Sequence, residues 1–467
     1  MVQDQRLETM MLVRRDLDAE SERRDLPAGL VDPDLTPEAA RAGRLTEICL
    51  IDSVVRRAVA VFLESDDYQK VQQIKSELMS KLLMECLAAF VHHRGGQVAY
   101  AIRLGDRGEV INAVQSMVSS RSGPRLYLEW GFLFVYFPDD KVVISTEALA
   151  THSGLGSQTT VRSSRDSASF WLEWEKYARK HSYLRGQAFF ADGQIIERAR
   201  KYTWDNILLA ETARRLIRVH VEGFLRNREA LRSCGVKARR GLILSGPPGT
   251  GKTLLGKVLA DTLEGASFMW VSPRHVRNPA SFQEILEVAR FTAPTVVFME
   301  DLDLFAEERD SGGGMCLGQL MNELDGAVDN EDLITIATTN RLEVIEKALR
   351  NRPGRFDRVI EMNAMDDLCR RKLLLKLTAK AEVSTEDMNY LVDATLDYTG
   401  AQVEELANTL YILGVDGDNA WRCVSVAADE VACGPAPSTI SVSRQLIDAA
   451  LEEMRVERKA KMGFHAA

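Results

Sequence analysis

The chain lacks the cysteine pattern of a stapled or thiolate-metal protein. Its seven cysteines, Cys49, Cys86, Cys234, Cys316, Cys369, Cys423 and Cys433, form no CxxC pair and are widely spaced. An odd, scattered set fits reduced, mostly buried thiols. Long apolar runs are also missing: the densest, Gly131 to Phe137, falls far short of the ~18 residues of a membrane helix, and no membrane insertion is expected. There is no excess of positive charge, since 59 Lys+Arg against 68 Asp+Glu give a net charge of −9. That balance offers no broad footprint for nucleic acid or an anionic membrane, although a local basic groove remains compatible with it. From Asp4 onward the N-terminus mixes acids and arginines, unlike a signal peptide, so a cytoplasmic protein is expected. What is present is ample: 467 residues, 45% apolar and 27% charged. Such a chain suits about three domains at roughly 150 residues each and excludes global disorder.

Residues 1–41 are polar and charge-mixed, with Pro27, Pro33 and Pro37, and read as a flexible arm. A mixed α/β region is expected over 42–195. Val71, Ile74, Leu78, Leu82 and Cys86 recur at three- and four-residue steps, which predicts one helix face, either core-facing or partner-docking. After Gly95 and Gly96 the period changes. Leu126 to Phe137, a Pro-Asp-Asp turn, and Val142 to Ile144 read as two strands. A polar, Ser-rich stretch from Thr151 to Ser169 precedes a helix over Phe170 to Arg179. Its Trp171 and Trp174 suit packing against the β-element better than a ligand platform. The role of this region is not legible in the sequence.

At Gly241 the signal sharpens. Leu242 to Leu244, an apolar run suited to a strand buried on both faces, leads into Gly246, Pro247, Pro248, Gly249, Thr250, Gly251, Lys252 and Thr253, and from Leu254 to Leu263 the pattern is helical. This is GxxxxGK[ST] in the strand–loop–helix context it requires. Its glycines let consecutive N–H groups converge on phosphates, the helix N-terminus adds a favourable dipole, and Gly246 through Leu254 are the expected nucleotide-binding residues. Lys252 would pair with the β- and γ-phosphates of ATP, and the Thr253 hydroxyl would ligate Mg²⁺. A second apolar strand, Thr295 to Met299, ends in Glu300, Asp301 and Asp303. Carboxylates at such a strand end can support Mg²⁺ and polarise a water for in-line attack. A third strand, Leu333 to Ala337, ends in Thr338, Thr339 and Asn340, whose neutral amide can position that water. Arg352, Arg355 and Arg358 then sit in a Pro-Gly turn and suit bidentate phosphate contact, within the chain or toward a neighbour.

The series GPPGTGKT, VVFMEDLD, TIATTN and RPGRFDR, with Trp204 to Ile207 upstream and Thr399 to Ala401 downstream, resembles the AAA clade of the AAA+ ATPases over about Tyr202 to Met454. The resemblance implies that Asn340 is the sensor-1 residue and that Arg355 and Arg358 are fingers completing a neighbouring subunit's ATP site. A finger in trans implies a homo-oligomeric ring, typically a hexamer. By the same resemblance Asp205 and Ile207 hold the adenine, and Gly400 with Ala401 belong to the lid. For Arg352, local salt-bridging is the plainer reading.

Three features depart from the family pattern. Its usual Asp–Glu order is reversed here as Glu300–Asp301. Glu300 then takes the Mg²⁺-supporting place and Asp301 the water-activating one, with a base one methylene shorter and slower turnover expected. The AAA branch that inserts folded iron–sulfur protein into respiratory complexes is similar in this swap. In place of an aromatic pore loop stands Pro273 to Pro279, whose Arg274, His275 and Arg277 either line a basic pore or form a solvated loop. The C-terminal Met462 to Ala467 lacks the tail of proteasomal ATPases, so proteasome docking is not expected.

The expected fold is α/β: an AAA+ P-loop parallel-sheet domain over 202–363, a helical lid over 364–455 and a tail at 456–467, preceded by the mixed α/β region. Lid helices are expected over Leu368 to Lys380, Met388 to Asp397, Val403 to Leu413 and Ser443 to Lys461. The expected function is a ring-forming, Mg²⁺-dependent ATPase that remodels a protein or protein complex of unknown identity. The alternatives are a slowly hydrolysing, ATP-gated scaffold and, more weakly, a nucleic-acid remodelling ATPase.

Overall fold

Where the sequence turns from helical to alternating patterns, the chain forms an antiparallel sheet. The computed structural model describes residues 58–463, apart from 66, 105–109, 113, 121–122, 152–153, 200, 308–312, 326–329, 350–355 and 417–439. The strands are β1 (Gln69–Ser76), β2 (Gln97–Leu104), β3 (Val110–Asn112), β4 (Val114–Ser120), β5 (Gly123–Tyr136), β6 (Lys141–Thr151) and β7 (Gly154–Ser163). Their order is β1-β7-β6-β5-β2-β3, with β4 also paired to β5. The expected β5–β6 turn is present: Phe137 N–H donates to the Asp140 carbonyl at 2.8 Å. The buried Asp140 carboxylate accepts from Ser163 Oγ at 2.6 Å, which ties the turn to β7.

One expectation over this region is corrected. Val71 and Ile74 lie on β1, not on a helix, and Ile74 is 55% exposed. β1 runs antiparallel to β7 along its whole length, so one edge of its backbone is held in the ladder, where β-branched side chains fit well. The helix starts only at Glu77–Met84, where Ser76 Oγ accepts from Met79 N–H. β7 itself occupies the Ser-rich stretch. Its Thr159, Thr160 and Ser163 are buried, polar residues that gave no apolar alternation to read. The helix Ser167–His181 is capped by Asp166, which accepts from Ala168 and Ser169 N–H. Trp171 and Trp174 meet edge to face at 5.2 Å, and Trp174 Nε1 donates to the Leu83 carbonyl at 3.2 Å. The pair is packing, as expected.

The chain divides into two compact units, Met1–Gln187 with Glu284–Thr292, and Ala188–Gln283 with Ala293–Ala467. The second holds a parallel sheet of β8 (Ala188–Phe190), β9 (Arg239–Ser245), β10 (Ser267–Val271), β11 (Thr295–Met299), β12 (Leu333–Thr339) and β13 (Arg358–Glu361). Their order is β13-β9-β12-β11-β10-β8. Every residue of β10, β11 and β12 is buried, as parallel strands joined through helices require. The core gathers Leu242, Leu244, Leu255, Leu259, Val296, Phe298 and Ile336, each burial contributing about 1.5–3 kcal/mol. β8 adds an edge strand beside β10.

The lid helices form close to expectation as Asp367–Leu377, Thr385–Ala394, Gly400–Asp416 and Arg444–Gly463. Leu374, Leu391, Leu406, Leu410, Ile447 and Leu451 make their shared core. The last helix runs eight residues past 455, so the expected tail is helical as far as Gly463. Two short parallel strands, β14 (Ala381–Val383) and β15 (Ile440–Val442), join the ends of this subassembly. Among the described residues no helix is long and apolar enough to cross a membrane.

Candidate nucleotide site

The loop after β9 is shaped by its own backbone. Gly249 and Gly251 take φ of +81° and +93°, values that side-chain-bearing residues avoid. Thr250 Oγ1 donates to the Pro247 carbonyl at 2.9 Å and closes the turn. Pro247, Pro248 and Gly249 are exposed, whereas Lys252, the first residue of the helix Lys252–Thr262, is 7% exposed. Its ammonium donates to the Gly246 and Pro247 carbonyls at 2.6 and 2.8 Å. Burial lowers the proton affinity of Lys252, while Asp301 and Asp303 oppose that shift. Leu254 packs its side chain against the sheet core.

The parallel register brings the motif ends together. β11 lies between β10 and β12, so Glu300 and Asp301 emerge next to Thr338, Thr339 and Asn340. Thr253 Oγ1 donates to Glu300 Oε1 at 2.8 Å. Asp301 has φ +50°, and its N–H donates to Thr338 Oγ1 at 3.0 Å, so the turn off β11 is fixed by β12. Asn340 Nδ2 stands 3.5 Å from Asp301 Oδ1. Burial first, then the neighbouring carboxylates of Asp303 and Glu300, raise the Asp301 carboxyl above its ordinary range, with Lys252 pulling the other way. An elevated carboxylate is a better proton acceptor. Thr253 and Glu300 together offer oxygen donors at a strand end, a set that fits a hard divalent cation such as Mg²⁺.

The remaining expected residues divide. Ala401 N–H donates to the Gly249 carbonyl at 3.2 Å, so the lid meets the phosphate loop. A Cβ on Gly400 would fall 2.9 Å from Met365 Cε and 3.4 Å from the Gly249 carbonyl. Ile207 is buried, and its Cδ1 would lie 3.7 Å from a Cβ on Gly251. Asp205 is exposed, with its N–H on Thr203 Oγ1. Arg358 is exposed on the edge strand β13, opposite Leu242 and three residues back from Ser245. Arg352 and Arg355 lie outside the described residues.

The two readings of the segment Pro273 to Pro279 are both altered by its geometry. His275 turns inward: its side chain is 6% exposed, and its Nδ1 accepts from Ser272 N–H at 3.0 Å. Burial lowers its proton affinity. Arg274 and Arg277 are exposed, and the Arg274 guanidinium lies 5.2 Å over the Phe190 ring.

Two further side chains complete the site, and of these Trp270 carries no sequence signal of its own. Asp303, 5% exposed, accepts from Thr339 Oγ1 at 2.7 Å and Asn340 N–H at 3.3 Å, and so fixes the end of β12. Trp270 Nε1 donates to Glu300 Oε2 at 2.9 Å across 30 residues of sequence. The acidity of the Glu300–Asp303 segment pointed to the first; nothing short of the β10–β11 register could find the second.

Residues 242–364 match the family model described as "ATPase family associated with various cellular activities (AAA)". Among curated proteins the chain is similar to the ATP-dependent zinc metalloprotease FtsH of Metamycoplasma arthritidis, 32% identical over 48% of this chain and 32% of the relative. It is also similar to Protein SAV of Sulfolobus acidocaldarius, 34% identical over 44% of this chain and 28% of that protein. Protein CdcH of Halobacterium salinarum is 32% identical over 44% of this chain and 29% of its own length. The chain thus spans about a third of the length of these relatives.

Proposed function

We propose, from the match of residues 242–364 to the AAA family model, that the chain is a ring-forming, Mg²⁺-dependent ATPase that couples ATP hydrolysis to remodelling of a protein or protein complex. The observation that carries this reading is the convergence of Lys252, Thr253, Glu300, Asp301 and Asn340 at the carboxyl ends of β9, β11 and β12, with the lid's Ala401 on the phosphate loop.

The ammonium of Lys252, now held by loop carbonyls, exchanges those partners for β- and γ-phosphate oxygens of ATP. The N–H groups after Ser245 grip the phosphates, and Gly400 and Ala401 close the lid side, with Asp205 and Ile207 beside the adenine. Thr253 and Glu300 would hold the Mg²⁺, which would neutralise charge building on the phosphate oxygens. Asp301 accepts a proton from the attacking water, and Asn340 orients that water. Arg355 and Arg358 act on the neighbouring subunit's site. The exposed edge position of Arg358 supports a role in trans, which in turn requires a ring. Hydrolysis then releases the lid and biases a two-state arrangement that does mechanical work on the protein substrate.

Phosphate release and nucleotide binding test the reading together. Lys252→Ala is expected to abolish ATP binding. Asp301→Asn should keep it and lower turnover by about 10²–10⁴-fold. An Asp301→Asn protein hydrolysing at the parent rate would remove the base assignment. The shorter reach of Asp301 favours one second reading, a scaffold that hydrolyses so slowly that ATP acts as a structural ligand; a parent protein without phosphate release, alone or with partners, would select it. Particle imaging with ATP and Mg²⁺ reads the ring directly.

A further inference from the structure

We infer that Trp270 is a positioning residue for the swapped carboxylate Glu300, its indole N–H fixing the side chain so that one oxygen stays available beside Thr253. This rests on the ATPase reading and on the place of Glu300 at the cation site. The geometry is specific. Glu300 Oε2 accepts from Trp270 Nε1 at 2.9 Å, and Oε1 accepts from Thr253 Oγ1 at 2.8 Å. The two oxygens are thereby assigned to different tasks: one is anchored to the sheet, the other shared with the Thr253 hydroxyl.

A physical need stands behind the anchor. Glu has one more rotatable bond than Asp, so a Glu at the end of β11 sweeps a larger volume, and each lost rotamer costs entropy at the moment a cation binds. A fixed neutral donor removes that freedom beforehand without adding charge that would compete with the cation, as outer partners of metal-binding carboxylates do.

The fold makes room for the indole by a separate device. Trp270 is 8% exposed and stands opposite Phe298 in the β10–β11 register, with ring centroids 5.1 Å apart. Both rings lie beneath the helix Lys252–Thr262 at Gly256. A Cβ at Gly256 would fall 2.6 Å from Phe298 Cε1 and 2.9 Å from Trp270 Cη2. Glycine in a helix interior costs roughly 1 kcal/mol against alanine. Here the missing methyl leaves the space in which the indole lies with its N–H toward Glu300.

The test measures how much Mg²⁺ tightens binding of a non-hydrolysable ATP analogue. For Trp270→Phe, which keeps an aromatic ring but no donor, the tightening factor is expected to fall roughly tenfold or more. The affinity for the analogue without Mg²⁺ stays at the parent value. Adding Glu300→Asp to Trp270→Phe should recover much of the factor, because a shorter carboxylate needs no second anchor; a merely structural tryptophan predicts no recovery. A separate readout is the indole ¹⁵N–¹H signal of Trp270, identified by its loss in Trp270→Phe. It should exchange slowly with solvent in the parent and rapidly in Glu300→Asp, which leaves the aromatic packing untouched. An unchanged tightening factor in Trp270→Phe, or an indole proton equally protected in Glu300→Asp, overturns the inference and leaves the ATPase reading standing. A parent protein that fails to bind the analogue at all overturns both.

Discussion

The two large sheets of this chain bury themselves in opposite ways. In the parallel sheet, β10, β11 and β12 have no exposed residue. In the antiparallel sheet, β1 alternates between exposed and half-buried positions, and β7 places threonine and serine in the interior. A strand covered on both faces must be a continuous apolar run, whereas a strand satisfied by its ladder on one wet face has no such obligation. The chemistry follows the same division. Parallel strands release all their carboxyl ends on one side, so residues far apart in sequence arrive at one place. In the antiparallel sheet neighbouring strand ends point oppositely, and no comparable gathering occurs among the described residues.

That contrast predicts that damage to one unit need not be damage to the other. The largest expected effect is Trp174→Ala. This fully buried side chain also donates to the Leu83 carbonyl, and its loss should cost the N-terminal unit about 3–5 kcal/mol in denaturant unfolding. ATP affinity, measured by analogue titration, should stay at the parent value. A parallel fall in affinity would break the comparison.

Gly246→Ala is the converse. Its added methyl would collide with the Met362 carbonyl oxygen, a backbone group that cannot step aside cheaply. The loop must shift at a cost of roughly 1–3 kcal/mol, about 5- to 150-fold in ATP affinity. The unfolding transition of the N-terminal unit should be unmoved.

The smallest effect is electrostatic. Burial and the carboxylates of Asp303 and Glu300 raise the Asp301 carboxyl, so its charged form is disfavoured in the folded state. That destabilisation is present at neutral pH and is lost as pH falls through the folded-state value toward the ordinary one. Asp301→Asn should therefore melt slightly higher than the parent at pH 7, with the difference vanishing in acid. Melting curves across that range check the sign; a variant less stable at pH 7 would contradict the crowding of carboxylates at this strand end.

The nucleotide site was largely readable because its parts are contiguous. The loop from Gly246 to Thr253, the carboxylates after Met299 and the amide after Thr339 each follow directly on an apolar strand. The helical lid was readable for a similar reason, its apolar positions recurring at helical spacing. β1 was not, because Val71 and Ile74 fit a helical stripe by spacing while the backbone partner that decides their state, β7, lies some 90 residues away. β7 was invisible because a buried threonine strand is polar in sequence.

What the sequence by itself determined is local: which segments must be covered, where the phosphate loop turns, and which carboxylates and amides follow which strands. The tertiary structure decided the pairings that make those residues act on one another. Thr253 meets Glu300, Asp303 fixes Thr339, the lid's Ala401 reaches Gly249, and the Trp270 indole holds the second oxygen of Glu300. Strand order and register create each of these contacts, and both are set by the burial of the whole sheet, which no single stretch of sequence encodes.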